Sequence, residues 1–191
     1  TKTAAQVYGI PMDDVTKNQR RDAKVINFGV LYGMSPHGLS VATGMSLSEA
    51  KKYIDHYFEL RAPIRTYIDT TLEKAKTDGY VQTYYGRRRP TPDINSSNFM
   101  VREAAARQAA NMPIQGTEAD LMKLAMIRVE KKLDGIGQQI LQIHDSILVE
   151  CPKKNANEVA AVLKDVMESI APELPVKLKV DVGIGKNWGE L

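Results

Sequence analysis

Cysteine is almost missing from this chain. Its 191 residues contain one, Cys151, which excludes an internal disulfide framework and fits a reducing compartment. No apolar run reaches the length that a bilayer requires, so no membrane span is expected. No charged-then-apolar leader follows Thr1, no internal repeat recurs, and no low-complexity tract interrupts the pattern. A first residue other than Met suggests a fragment or a processed piece. Strong net charge is lacking too: 26 Lys/Arg against 23 Asp/Glu leave +3. What is present is ordinary for a globular protein, with a hydrophobic share of 43% and a charged share of 26%. The length suffices to bury a core, as one domain or two tightly associated lobes.

The charge is unevenly spread. Residues 1–117 carry sixteen Lys/Arg against eleven Asp/Glu, net +5; residues 118–191 carry ten against twelve, net −2. A basic front half suits a polyanion held mainly by that part, although uneven surface charge alone gives the same count. Local signals then place the elements. Thr16 and Gln19 form a capping-box pattern, and a helix is expected from there to about Tyr32, with Gly33 as its stop. Ser46 opens a second helix, striped by Ala50, Tyr53, Ile54, Tyr57 and Phe58. Pro63 opens a third, to about Asp78. Residues 79–92 read as a short hairpin or ribbon. Helix resumes from Ser97 to about Met112, Pro113 and Gly116 are expected to kink or interrupt it, and a further helix follows from Thr117 to about Leu133. Two strand-like runs in residues 138–151 meet at His144-Asp145-Ser146, residues 155–171 are an amphipathic helix, and residues 176–185 alternate as a strand. Helices first, then a small antiparallel sheet backed by helices, is α+β.

The chemistry begins in RRDAKVINFGVLYG, residues 20–33. Residues four apart on a helix drift by only about 40°, so Arg20, Lys24, Phe28 and Tyr32 form one slanted stripe. Its cations sit at the amino end, where the helix dipole is already positive and Lys or Arg is disfavoured. Lys17 and Arg21 add to the excess, and Asp22 offsets part of it. An anion of triphosphate size would resolve the conflict, with its base and sugar against Phe28 and Tyr32. The competing account is a solvated basic turn followed by core aromatics, with Gly29 serving helix packing. In a second stripe, Arg107, Asn111 and Gln115 put three hydrogen-bonding groups on one helix edge, able to bind phosphate or minor-groove acceptors. Asp145, at a tight corner between strands, is rigid, exposed and suited to Mg²⁺, although a lone turn aspartate is usually only a turn residue. Arg87, Arg88 and Arg89 follow Gly86 as a charge run whose default is solvation.

Residues 20–34 closely resemble the fingers helix of the A family of DNA polymerases: Arg, three residues, Lys, three residues, Phe, three residues, Tyr-Gly. The resemblance continues through the Asn-x-Pro-x-Gln-Gly stretch at 111–116, the corner at 144–146 and the terminal VDVGIGKNWGEL, where Trp188 is expected in packing rather than chemistry. It implies residues 1–116 as fingers and 117–191 as the C-terminal part of the palm. It implies that Arg20 and Lys24 bind the phosphates of a dNTP, that Lys24 protonates the departing pyrophosphate, that Phe28 meets the sugar and that Tyr32 lies beside the templating pair. It further implies Arg107, Asn111 and Gln115 on the primer–template minor groove, Arg88 on DNA phosphate and His144 near the primer terminus. Asp145 would then be a catalytic ligand for one or both of two Mg²⁺ ions. Ser146 replaces the family's usual Glu and receives no role.

Two-metal phosphoryl transfer needs more than one carboxylate. The family's other aspartate lies in an Asp-Tyr-Ser motif, which this sequence lacks. The expectation is therefore a companion polypeptide carrying that motif, a chain inactive alone, and a cytoplasmic setting in a bacterial or phage-infected cell. Two rivals stand beside this. A phage-type single-subunit RNA polymerase fragment is favoured by Ser146 and opposed by Phe28, where those enzymes usually carry Met. A non-catalytic polymerase-derived nucleic-acid-binding module is opposed by the retention of Arg20, Lys24 and Asp145.

Overall fold

Capping chemistry fixes where the helices begin. The computed structural model describes residues 1–191 except for the side chains of Gln6 and Val7. After a short α1 (Lys2–Tyr8), α2 (Lys17–Leu31) starts at a complete capping box: Thr16 Oγ1 accepts from the Gln19 N–H, and Gln19 reaches back to the Thr16 N–H. Next comes α3 (Pro36–Thr43), with Ser35 as its N-cap. Ser46 and Glu49 repeat the capping box for α4 (Leu47–Glu59). Then α5 (Ala62–Asp78) leads into a ribbon of β1 (Tyr80–Gln82) and β2 (Arg88–Pro90), paired antiparallel with Val81 opposite Arg89. A long α6 (Phe99–Lys132) precedes the hairpin β3 (Gln138–Ile143) and β4 (Ser146–Glu150), and α7 (Ala156–Glu168) follows. The fold is α+β, mostly helical with two small antiparallel sheets. No helix among the described residues is long and apolar enough to cross a membrane.

Backbone contacts divide the chain into two units, residues 1–82 with 88–113, and residues 83–87 with 114–191. The first holds two cores. Ile26, Val30, Leu39, Ala50 and Tyr57 form one, with Tyr53, Ile54 and Phe58 against it, as the α4 stripe predicts. Ala75, Val81, Ile94, Ala109 and Met112 form the other. In the second unit Val129, Leu133, Val159, Leu163 and Val166 pack α6 against α7 and the inner face of β4.

Three expectations fail. The interruption expected at Pro113 and Gly116 does not occur: α6 runs through both in helical conformation. A proline inside a helix removes one hydrogen bond, but Ala109 and Met112 before it and Asp120, Met122 and Ala125 after it are buried, and that packing offsets the loss. Residues 176–185 form no strand. Alternation becomes a strand only where another backbone satisfies its polar groups, and here the Val180 N–H donates to the Glu168 carboxylate at 3.1 Å instead. Trp188 does not pack: it is 60% exposed in a single 3₁₀ turn.

Candidate nucleotide-binding site

The α2 stripe faces away from the core. Ala23, Ile26 and Val30 are buried, whereas Arg20, Lys24 and Phe28 are exposed and Tyr32 is half-buried. Phe28 keeps 52% of its surface in water, which removes the account in which the ring is core. A depression of about 490 Å³ opens over the first turns, lined by Thr1, Thr3, Lys17, Arg20, Arg21, Ala23, Lys24 and Asn27. That volume suits a small ligand. Four of its lining side chains are cations and none is a carboxylate. Arg21 leans on Asp22 at 3.6 Å, but Arg20 and Lys24 have no ion pair among the described residues. Like charges gathered without partners at the positive end of a helix are held only by the fold, and they lower the free energy of any anion that arrives.

The carboxyl end of α2 is locked. The Met34 N–H donates to the Gly29 carbonyl at 2.7 Å and the Gly33 N–H to the Val30 carbonyl at 3.1 Å, a Schellman pair around Gly33 at φ 81°. Met34 folds back over Gly29, where an added Cβ would collide with its Cε. The close approach that Gly29 permits is thus filled from within the chain. A Cβ at Gly33 would lie 2.9 Å from Cγ of Arg107, so the stripe of α2 ends directly beside the first residue of the α6 stripe. Arg107 is exposed and Asn111 half-buried on the part of α6 belonging to the first unit; Gln115 is exposed on the part belonging to the second.

The arginine run is less uniform than its sequence. Arg87 donates through Nε to Asp120, whose carboxylate also accepts from Thr83 Oγ1 at 2.8 Å. Burial pushes the Asp120 carboxyl up, but hydrogen bonds from Arg87 and Thr83 and the charges of Arg87 and Lys123 outweigh it and hold it below the usual range. Arg88 is exposed, with its guanidinium 4.4 Å from the Tyr80 ring centroid, and Arg89 donates to Gln108 at 2.8 Å. In the same turn the Tyr84 N–H donates to Thr117 at 2.9 Å. Tyr85 donates to Glu173 at 2.7 Å, a hydrogen bond that, with burial, pushes the phenol up to about 12.

At the corner, Ile143 pairs with Ser146 and leaves a two-residue turn of His144 and Asp145. His144 sits at φ 50°, a left-handed conformation that normally favours glycine. Gln142 Nε2 holds its carbonyl at 2.6 Å, and Ser146 Oγ donates to the Ile143 carbonyl at 2.9 Å. Ser146 thus closes the turn. His144 and Asp145 are both exposed. Among the described residues no three His, Cys, Asp or Glu side chains cluster to hold a metal. Asp145 offers a single exposed carboxylate, and Mg²⁺ is an ion that keeps several waters and takes one or two carboxylates plus substrate phosphates.

Sequence reasoning omits two hydrogen-bonded pairs that the structure shows, one in each unit. Asn27 lines the cavity, and Tyr57 of α4 donates to its Oδ1 at 2.8 Å. Asn27 follows Lys24 by three, a visible helical step, but nothing local links it to a tyrosine 30 positions away. The Arg87–Asp120 pair, 33 apart, is hidden for the same reason.

The family model described as DNA polymerase family A matches residues 1–190. DNA polymerase I of Deinococcus radiodurans is 52% identical over 188 residues, covering 98% of this chain and 20% of that protein. The thermostable DNA polymerase I of Thermus aquaticus is 48% identical over 189 residues, covering 98% and 23%. The chain thus spans about a fifth of the length of these curated relatives. Among solved structures, the POL domain of Pol1 from M. smegmatis, in complex with DNA primer-template and dNTP, superposes with a TM-score of 0.91 at 38% identity, covering 98% of this chain and 34% of that one. Matched by the family model from end to end but for one residue, this chain belongs to DNA polymerase family A.

Proposed function

We propose that this chain is the part of a DNA polymerase that binds the incoming dNTP and contributes one metal-ligand aspartate to template-directed DNA synthesis. Residues 1–116 serve as fingers and 117–191 as the C-terminal portion of the palm. One observation carries this reading: four cations line a single depression on α2, beside an exposed Phe28. Arg20 and Lys24 bind the triphosphate, Phe28 packs on the sugar, and Tyr32 lies beside the templating pair. Lys24 delivers a proton to the departing pyrophosphate as the primer 3′-hydroxyl bonds to the α-phosphorus. Arg107, Asn111 and Gln115 hold the primer–template through its minor groove, and Arg88 meets its phosphates. His144 approaches the primer terminus. The close approach of Gly33 to Arg107 supports joining the nucleotide and DNA stripes.

Asp145 is the carboxylate that would hold Mg²⁺, in a completed site of two ions. When bound, Mg²⁺ supplies charge neutralisation at the phosphates and activation of the attacking hydroxyl. The remaining carboxylate comes from polypeptide outside residues 1–191 that carries the Asp-Tyr-Ser motif. The test is primer extension by the completed polymerase bearing Asp145→Ala or Lys24→Ala. Turnover is expected to fall by at least about a hundredfold with DNA binding retained. Unchanged turnover in Asp145→Ala sinks the metal assignment, and Mg²⁺-dependent extension by the isolated 191-residue chain sinks the need for an outside carboxylate.

A further inference from the structure

We propose that Asn27 is an additional phosphate-contacting residue of the α2 cavity and that Tyr57 is its positioning residue; the proposal rests on the nucleotide-binding reading above. Seven residues beyond Arg20, Asn27 falls about 20° from it around the helix, on the side toward buried Ala23, Ile26 and Val30. It therefore stands at the seam between core and cavity, half-buried, lining the same depression as Lys17, Arg20, Arg21 and Lys24. Asparagine is an indifferent helix former, because its amide competes with the backbone. Its presence at this seam asks for a partner.

The structure supplies one. Tyr57, 2% exposed, donates its O–H to Asn27 Oδ1 at 2.8 Å. The ring cannot swing away. Phe58 meets it edge-on with centroids 5.4 Å apart, and the Arg61 guanidinium stacks 4.3 Å from its centre. Burial raises the Tyr57 pKa, with the Arg61 charge opposing, so near neutral pH the hydroxyl remains a donor.

With Oδ1 committed to the core side, the amide has one orientation. Its Nδ2 carries two N–H donors and no protein acceptor among the described residues. A cavity lined by four cations and a donor-only amide presents positive hydrogens to whatever enters, the complement of phosphate oxygens. Were Asn27 there only to satisfy Tyr57, any acceptor of its size would serve and no ligand would sense the exchange. An amide differs from a carboxylate here in offering donors as well.

The experiment titrates inorganic tripolyphosphate at constant ionic strength into the ¹⁵N-labelled 191-residue chain. The Asn27 side-chain amide pair is followed by NMR and affinity by calorimetry. In the unaltered chain the amide resonances shift and saturate. Asn27→Leu weakens binding about tenfold and Tyr57→Phe about threefold, and the double variant is no weaker than Asn27→Leu alone. Binding unchanged in Asn27→Leu, while Arg20→Ala and Lys24→Ala lose it, overturns the role of Asn27 and leaves the cationic site standing. Binding unchanged in all of them removes both readings. Independent losses in the double variant, or amide resonances that ignore the ligand, overturn the positioning by Tyr57 or the contact itself. The resonance measurement needs no variant and is immune to a folding defect.

Discussion

Replacing Arg87 by Met should destabilise the second unit in a way that depends on pH. The substitution keeps an apolar stem and removes the guanidinium that donates to Asp120. Asp120 is 6% exposed in its side chain, so the abandoned oxygen is left with little water, while Thr83 still donates to the other oxygen at 2.8 Å. A hydrogen bond between charged groups contributes about 1.5–3 kcal/mol. Arg87 itself is 58% exposed, so solvent screens the pair and favours the lower part of that range. The expected loss at pH 7 is about 2 kcal/mol. Asp120→Asn, which removes the charge but keeps an acceptor for Arg87, should cost less, about 1 kcal/mol.

The folded-state pKa of Asp120 lies below its ordinary value. Its contribution to stability is therefore fully present above the unfolded value of about 4 and is lost as pH falls through the lower folded value. Arg87→Met lacks the share of that contribution that Arg87 supplies, so its gap from wild type should narrow as the pH falls below about 4. Urea titrations followed by circular dichroism, with amide exchange at buried Val129 and Leu133 reporting on the second unit, measure the gap. A gap that stays constant from pH 7 to pH 3 would refute the coupling. So would a loss below about 0.5 kcal/mol at pH 7.

Four further outcomes follow. His144→Gly should stabilise the hairpin by about 1 kcal/mol, because it relieves a left-handed backbone, yet lower turnover of the completed polymerase; no gain in a thermal melt counts against strain at the corner. Gly33→Ala should lose about 1–2 kcal/mol, since it combines φ 81° with a Cβ 2.9 Å from Arg107. Gly29→Ala should be nearly neutral in the same melts, because the obstructing atoms are the flexible end of Met34 and alanine favours helix by about 1 kcal/mol. Phe28→Tyr should ease dideoxynucleotide incorporation by the completed enzyme, its phenol hydroxyl replacing the interaction of the missing sugar hydroxyl; unchanged chain termination would count against placing Phe28 at the sugar.

What the sequence reveals and what it hides divide along a physical line. Caps at Thr16 and Ser46 act over three residues, so the starts of α2 and α4 are legible from short windows. The alternation of residues 176–185 is equally visible, but a strand also needs a backbone neighbour, which no window contains. Pro113 shows the reverse: the local breaker is plain, and the buried side chains that overrule it are scattered along 34 helical residues. The candidate site was readable for a different reason. Cations gathered on the positive end of a helix work against folding, and residues that oppose the fold announce themselves. Asn27 and Asp120 do not oppose it. Each is reconciled with its surroundings by one distant donor, Tyr57 or Arg87, and reconciliation at a distance leaves no mark in the order of residues. The groups that hold a functional side chain in place are thus the ones a sequence conceals best, and coordinates are needed to find them.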